Sequence, residues 1–347
     1  MRKNLNYFMA IAAALTIGLS SCSKDSDPTP AQDIAKDYTG TELTATNAGE
    51  TIPGGKVKIE AIDNTTAKIT LNSIVNGQPS FEMNAAVVQT KAEYAFTGTK
   101  DIAGMKVAVK GVVIDGKATV DVAVEITATN ILNSWTFNTK KEGTDDVPDF
   151  IIFNLQNKSG KVMFGGKEIT TEQYNENFTG WITLIGAMSL QNLSLTFNKD
   201  GYVGLTATSP MAPEGQQNIS LPKLARYYYS PAANLLIFDA PLGDLLGNNA
   251  TLSGTMQVPF DCKIENNVLT ATIQQAFLSQ LLLLVPTGES LQALLSMLDS
   301  VLPPDFASFA PIIKMLITDL AVGITDPDVT SLTIGAKLQP VPSTPAQ

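Results

Sequence analysis

Residues 118–126 read ATVDVAVEI, and every even-numbered position in this stretch is apolar. The odd-numbered positions are mostly polar, with Thr119, Asp121 and Glu125 among them. Successive side chains of a β-strand point to opposite faces of the sheet, so this period of two predicts a strand with one buried face and one face in water. The stretch therefore favours an antiparallel sheet that covers a core on one side.

The same alternation recurs upstream, where turn signals separate the repeats. It is found at residues 56–61, 69–71 and 106–110, and Asp115-Gly116 is a good type I′ hairpin pair. Turns spaced about ten residues apart are typical of an antiparallel barrel or sandwich. We predict about eight strands from Gly40 to Asn138, enough to close one small barrel, and assign residues 37–138 to an N-terminal β-barrel domain.

The second half of the chain predicts another β domain that contains helices. Residues 139–148 are charged and aperiodic, which indicates a linker. Strands are predicted in a hairpin at 191–208 and at 227–229, 235–239, 251–258, 268–273 and 329–338. Leucine-rich segments at 291–302 and 309–320 have helical spacing instead. The prediction is a mainly β chain of two successive antiparallel barrels, the second at residues 149–340 with a helical insertion at about 276–323.

The N-terminus predicts export and lipid anchoring. Arg2 and Lys3 precede an apolar run at residues 7–19, which is too short to span a bilayer and is typical of a signal peptide. Residues 19–22, LSSC, resemble the lipobox of bacterial lipoproteins, which implies cleavage after residue 21 and acylation of Cys22. A flexible tether is predicted at residues 22–36. The residues after Cys22 resemble the acidic signal of Bacteroidetes lipoproteins, which implies an outer-membrane protein that faces the cell exterior.

Composition excludes several classes of function. The charged residues of the first 21 positions are Arg2 and Lys3, so cleavage would change the net charge from −10 to −12, which disfavours nucleic acid as a partner. Arg226 is then the one arginine left, so phosphorylated ligands are poor candidates. The chain has no histidine, which excludes His-dependent triads and the common zinc sites. Cys262 is predicted to fill the core rather than to act as a nucleophile.

Two β units after a lipobox resemble the uncharacterised calycin-like lipoproteins of Bacteroidetes. Residues 38–41 (YTGT), the predicted hairpin at 56–73 and the strand at 116–126 carry this resemblance, which covers about a third of the chain. It implies lipocalin-like barrels and supplies no catalytic residues.

No constellation of catalytic residues stands out in the sequence. Asp145-Asp146 lies in the predicted linker, and Asp326 and Asp328 flank a proline in a predicted turn. Nucleotide-binding, serine-hydrolase and calcium-loop motifs are absent from the sequence. We therefore predict a protein that is not an enzyme and has no cofactor or metal.

Aromatic side chains are the candidate ligand-binding residues, because sugar rings stack on exposed indole and phenol faces. The candidates are Trp135, Trp181, Tyr227, Tyr228 and Tyr229. In a strand Tyr228 points away from its two neighbours, so we expect at least one of the three tyrosines to be exposed or at a groove edge. The alternative is that the tryptophans plug barrel ends and the tyrosines pack with their hydroxyls in water.

Two functions remain open from the sequence. The first is a non-enzymatic surface module that binds a glycan or another small ligand. The second is a structural or lipid-handling envelope protein that binds an apolar ligand or a neighbouring envelope protein, since the leucine-rich helices could cover a barrel end or a lipid cavity. Both have the membrane as a partner through Cys22.

Overall fold

A computed structural model describes residues 29–90, 93–137, 150–164, 166–189, 191–208, 217–241, 255–274 and 328–341, with isolated positions at 215, 277, 278, 314 and 318. The predicted signal peptide, Cys22, the predicted linker and most of the predicted helical insertion lie outside these residues. The chain is mainly β, as predicted, with a curled sheet and a closed eight-stranded antiparallel barrel.

The first unit contains one short helix, α1 (Pro30–Asp33), one 3₁₀ turn (Gly40–Glu42) and nine strands. The strands are β1 (Asp37–Tyr38), β2 (Leu43–Asn47), β3 (Glu50–Thr51), β4 (Lys56–Ala61), β5 (Thr66–Asn72), β6 (Ser80–Thr90), β7 (Glu93–Ile102), β8 (Met105–Ile114) and β9 (Lys117–Ile126).

The nine strands form one curled sheet in the order β1-β4-β5-β6-β7-β8-β9-β2-β3. Strands β4 to β9 are an antiparallel meander, whereas β2 runs parallel to β9. The predicted turn at Asp115-Gly116 is confirmed, since both residues have the positive φ of a type I′ turn. Alternate residues of the long strands are buried, with Val107, Val120 and Val122 fully so, and the concave side is filled by side chains.

The second unit contains a second helix, α2 (Thr171–Ser189), a 3₁₀ turn (Pro231–Ala233) and eleven strands among the described residues. The strands are β10 (Ser134–Thr136), β11 (Ile151–Asn157), β12 (Lys161–Phe164), β13 (Lys167–Thr170), β14 (Gln191–Phe197), β15 (Tyr202–Thr208), β16 (Asn218–Ser230), β17 (Leu235–Pro241), β18 (Thr255–Glu265), β19 (Val268–Gln274) and β20 (Val329–Pro340).

Strand β10 closes the second unit into a barrel. It pairs with β14 on one side and with β20 on the other, so that β10 and β14 to β20 form a ring. The predicted N-terminal domain included these residues, but their partners lie in the second unit. Three residues that pair with strands about 60 and 200 positions away carry no local signal of that choice. Strand β11 extends the sheet beyond β20.

Helix α2 was not predicted, although the sequence contains its start signal. The Thr170 hydroxyl accepts a hydrogen bond from the Gln173 backbone N–H (3.1 Å), and the Gln173 side-chain oxygen accepts one from the Thr170 N–H (3.2 Å). This reciprocal pair is a capping box. Tyr174 and Phe178 then lie one turn apart on the buried face, where they pack on Phe153 of β11. The α2 helix therefore covers one face of the β11–β20 pair.

The predicted tether is folded over residues 30–36. Ala31 and Ile34 are buried against the first sheet, and the Tyr38 hydroxyl donates to the Ile34 carbonyl at 2.9 Å. The Ile59 N–H of β4 also donates to the Lys36 carbonyl (3.0 Å). Only one short turn of helix packs there, so the segment has no hydrophobic periodicity. For this reason the sequence predicted a flexible tether instead of a folded segment.

The first unit has two distinct ends, because its strands run up and down in sequence. The β4–β5, β6–β7 and β8–β9 turns lie at one end, which we call the proximal end. Helix α1 also lies there, since the Ala31 N–H donates to the Asn64 carbonyl in the β4–β5 turn. The β7–β8 turn and the loop at residues 73–79 lie at the opposite, distal end, which contacts the second unit.

Part of the predicted helical insertion falls on described positions, and all four of these are helical: Phe277, Leu278, Lys314 and Thr318. The Thr318 hydroxyl donates to the Lys314 carbonyl (2.8 Å), as expected for residues one helical turn apart. Within the described residues, no helix is both long and apolar enough to span a membrane.

A substitution at Gly77 tests the contact between the units. Gly77 has a φ of +62°, and a Cβ there would lie 2.5 Å from the Cβ of Tyr228. We expect Gly77→Ala to lower the free energy of unfolding by about 2–4 kcal/mol, from backbone strain and overpacking together. Gly54→Ala is the matched control, because Gly54 also has a positive φ but open space around it. It should cost only about 1 kcal/mol in urea denaturation, and equal losses for the two variants would contradict the contact.

Candidate functional site

The three tyrosines of β16 are all buried, so the expectation that one of them is exposed is wrong. Tyr228, the most accessible, is 8% exposed. Tyr227 and Tyr229 lie on the inward face of the barrel, where Tyr227 meets Phe197 edge-to-face. Tyr228 lies on the outer face, but the first unit covers it and its hydroxyl donates to the Ala103 carbonyl at 3.0 Å. The C-terminal part of β16, from Arg226 to Ser230, is therefore buried on both faces, which a local pattern does not reveal.

The two tryptophans also pack within the protein. Trp135 of β10 is buried, and its indole N–H donates to the Ile131 carbonyl at 3.0 Å. Trp181 is half-buried on α2 and packs against the smaller core that contains Phe153 and Phe178. The five predicted aromatics are thus not brought together at one surface. They pack within the protein, as the alternative expected, but the tyrosine hydroxyls bond to protein atoms rather than to water, since Tyr227 donates to the Asn198 carbonyl and Tyr229 accepts from the Asn130 amide.

A buried ion pair joins the two units. The Arg226 guanidinium of β16 lies 3.3 Å from the Asp239 carboxylate of β17, and the two side chains are only 7% and 1% exposed. Arg226 also donates to the Ile74 carbonyl of the first unit at 2.7 Å, and Asp239 accepts from the Gly77 N–H at 3.1 Å. Each charge of the pair is therefore satisfied partly by the other unit.

Two buried amides extend this junction. The Asn47 side chain donates to the Ile74 carbonyl (2.8 Å) and to the Asn76 side-chain oxygen (2.7 Å). Asn76 in turn donates to the backbone carbonyls of Gly201 and Tyr227 in the second unit. Such a connected network leaves little freedom for one unit to rotate against the other.

The electrostatics of the junction indicate a structural role. Burial raises the pKa of the Asp239 carboxyl, against the opposing effects of Arg226, the Gly77 N–H and the Gln257 amide. A cavity of about 140 Å³ lies beside the pair and is lined in part by Val75, Pro79 and Gln257. Because both charged groups are already engaged by protein atoms, we interpret the cluster as a clamp between the units.

Removal of one charge of the clamp should be costly. We expect Asp239→Ala to lower the free energy of unfolding by about 3–5 kcal/mol, because the Arg226 guanidinium would stay buried without its counter-charge. Glu125→Ala is the control, since Glu125 of the first unit forms an ion pair with Lys199 of the second unit (2.6 Å) but is exposed. That variant should cost about 1 kcal/mol or less. Equal losses in chemical denaturation would show that the buried pair does not hold the junction.

Cys262 is a core residue, as its position in the sequence predicts. It is fully buried on β18 opposite Ala271. Burial raises the pKa of its thiol to about 12, so the group stays protonated at neutral pH. A protonated thiol is a poor nucleophile, and the geometry gives Cys262 a packing role.

An open polar cleft lies beside the N-terminal end of α2. It has a volume of about 450 Å³ and is lined by α2 and β11. Six of its eight lining residues have amide or carboxylate side chains: Asn154, Gln156, Asn157, Glu172, Asn175 and Glu176. None of these residues was singled out from the sequence. The capping box and the four amide residues of the two segments are the signals that could have found them.

Asn175 fixes the floor of the cleft. Its side-chain oxygen accepts from the Leu155 N–H at 2.9 Å, and its side-chain N–H donates to the Leu155 carbonyl at 3.1 Å. Asn154, Gln156, Glu172 and Glu176 are exposed around it. Exposed amides both donate and accept hydrogen bonds and carboxylates accept them, so the cleft can bind a ligand rich in hydroxyl groups. In the described part of the chain, no three Asp, Glu, Cys or His side chains group to hold a metal ion.

The cleft lies apart from the part of the barrel that meets the first unit. Strand β11 pairs with β20, which stands four strands from β16 in either direction around the ring. The first unit contacts β16, Tyr202 of β15 and Asp239 of β17, whereas the cleft is lined by α2 and β11.

Comparisons with known proteins do not assign a family. No protein-family model matches the chain, and no curated protein matches it. A crystal structure of a protein of unknown function from the DUF3598 family of Nostoc punctiforme aligns with 91% of this chain and 100% of its own. The two are 9% identical with a TM-score of 0.13, which is too low to carry an argument about fold or function.

Proposed function

We propose that this protein is a lipid-anchored cell-surface module that binds a glycan or another small hydroxyl-rich ligand and performs no catalysis. The polar cleft between α2 and β11 is the observation that carries the proposal. Its volume of about 450 Å³ lies in the range of small-molecule sites, which runs from about 300 to 1,000 Å³.

The chemistry of the cleft favours a neutral ligand. Glu172 and Glu176 give it negative charge, and the described lining includes no lysine or arginine. An anionic ligand would therefore be repelled, whereas sugar hydroxyls can donate to carboxylates and pair with amides in both directions. The aromatic stacking that the sequence suggested is not needed for this mode of binding.

Display at the cell surface fits the order of the parts. Export by residues 1–21 and acylation at Cys22 would place the anchor at the N-terminal side of the first unit. The second unit lies at the distal end of that unit, and its cleft lies on α2 and β11, apart from the contact with the first unit. An anchored molecule would thus hold the cleft away from its own membrane, as a module that captures an external ligand requires.

The alternative is a structural or lipid-handling envelope protein. The rigid junction around Arg226 and Asp239 supports a structural role. An apolar ligand inside the first sheet has less support, because the concave side is filled by its own side chains, such as Met105 and Phe96. In the barrel, Tyr227, Leu236 and Cys262 likewise occupy inward positions. A hydroxyl-rich ligand in the cleft therefore stands as the better supported proposal.

Substitutions on the two walls of the cleft test ligand binding. Glycan arrays and a panel of neutral polyols should first identify a ligand for the mature protein. We then expect Gln156→Ala with Glu172→Ala to weaken binding about tenfold or more in calorimetry, since about 1–3 kcal/mol is lost per hydrogen bond to a polar or charged group. The thermal midpoint should hardly change, because both side chains are exposed.

The control for this experiment is Glu168→Ala on the neighbouring β13 strand, an exposed glutamate outside the cleft that pairs with Lys161. It should leave the affinity unchanged. Binding that survives in the cleft variant, or no binding by the wild type to any member of the panel, would refute the proposed function.

Substitution of Cys22 tests the anchor. Cys22→Ser should move the protein from the membrane fraction to the soluble fraction of its own cells, because acyl chains on this residue are the proposed attachment. Mass spectrometry of the wild-type N-terminus should show an acylated Cys22. Cys262→Ser is the matched control and should stay in the membrane fraction. A Cys22→Ser protein that fractionates with the membrane would contradict acylation as the anchor.

A further inference from the structure

Exposed apolar side chains in the first unit are confined to one of its ends. Among the described residues of this unit, the large hydrophobic side chains that stay exposed are Ile62 (55%), Val88 (36%) and Ile114 (42%). Ile62 precedes the β4–β5 turn, Val88 lies two residues before the end of β6, and Ile114 ends β8. All three therefore lie at the proximal end, and we call them the proximal rim.

The three residues belong to neighbouring hairpins rather than to scattered surfaces. The Val87 N–H donates to the Thr65 carbonyl, which places the end of β6 beside the β4–β5 turn. Ala95 of β7 then pairs with Val88 on one side and with Val112 of β8 on the other, two residues before Ile114. The rim thus runs along consecutive strands of the sheet.

The chain also enters the first unit at this end. Helix α1 is held there by the Ala31 bond to Asn64 and by the Tyr94 hydroxyl, which donates to Asp33 (3.1 Å). Thr29 is seven positions after Cys22, and a fully extended chain of that length spans at most about 25 Å. An anchor at Cys22 would therefore keep the proximal end, and not the distal end, close to the bilayer.

We propose that the proximal rim docks on the lipid bilayer and fixes the orientation of the protein on its membrane. This inference rests on the proposed anchor at Cys22. Shallow insertion of a few apolar side chains adds modest affinity that becomes effective once a lipid anchor holds the surface nearby. The second unit and its cleft then stand away from the membrane.

Charge at the proximal end fits a neutral lipid surface better than an anionic one. The described charged groups there have both signs, with Asp33, Glu42, Asp63, Glu93 and Asp115 against Lys36 and Lys117. The excess of carboxylates would weaken docking on anionic lipids. A zwitterionic bilayer is therefore the occupant that the surface favours.

Hydrogen exchange on vesicles tests this orientation without depending on acylation by the cell. The chain from Cys22 to Gln347 is coupled through Cys22 to a maleimide lipid in phosphatidylcholine vesicles, while buried Cys262 stays unreacted. Compared with protein capped by a soluble maleimide, the amides of the three proximal hairpins should exchange about tenfold more slowly. Amides of the β12–β13 hairpin in the second unit should exchange equally in both samples.

The combined variant Ile62→Ser, Val88→Thr and Ile114→Thr should lose this protection, and its thermal midpoint must first be shown to match the wild type. Met163→Ser is the control, because Met163 is 60% exposed but lies on the β12–β13 hairpin. Unchanged protection in the rim variant, or no protection in the wild type, would overturn the proposal. If the capped protein forms a dimer in solution and the rim variant does not, the rim binds a second copy of the chain instead, and the proposal is wrong. If cells do not acylate Cys22 but the vesicle-coupled protein still shows the protection, the proposed anchor is wrong and the docking of the rim is supported.

Discussion

Burial of one wall of the barrel beneath the distal end of the first unit is the constraint on which the molecule depends. The wall contains Arg226 and Asp239, whose removal from water costs free energy that their mutual attraction does not fully return. The raised pKa of Asp239 reflects this, since desolvation exceeds the effect of the guanidinium. The stabilising contribution comes from apolar packing such as that of Tyr228 on Gly77. The ion pair, which needs Ile74 and Gly77 in fixed places, sets the orientation of the units.

This rigid junction fixes the position of the second unit relative to the N-terminus of the first. The chain enters at the proximal end of the first unit, the barrel is attached at the distal end, and the polar cleft lies on α2 and β11, apart from the attachment. Were the junction flexible, the position of the cleft relative to the N-terminus would vary. A buried network of amides and charges restricts that motion, because each rotation would leave several polar groups without partners.

The sequence predicted those features that depend on neighbours in the chain. Alternation at 118–126 and the Asp115-Gly116 pair suffice for the β8–β9 hairpin, since side-chain period and turn chemistry are local. Strand β10 could not be assigned from sequence, because its partners are set by closure of the barrel. The burial of Tyr228 likewise depends on another unit. Helix α2 differs, because the sequence contains its capping box at Thr170 and Gln173. This local signal was sufficient to predict the start of a helix, but the segment was assigned to a β domain.

The cleft lies beside an exposed strand edge, which every open sheet has. Strand β11 pairs with β20 on one side, and no strand among the described residues pairs with its other edge, whose backbone groups could bind another chain. The Asn175 side chain provides the two hydrogen bonds to Leu155 that a further strand would have made. Asn175 reaches this edge from α2, and the space beside it is the cleft lined in part by Asn154 and Gln156. Protection of the strand edge and creation of a binding cleft are thus consequences of the same contact.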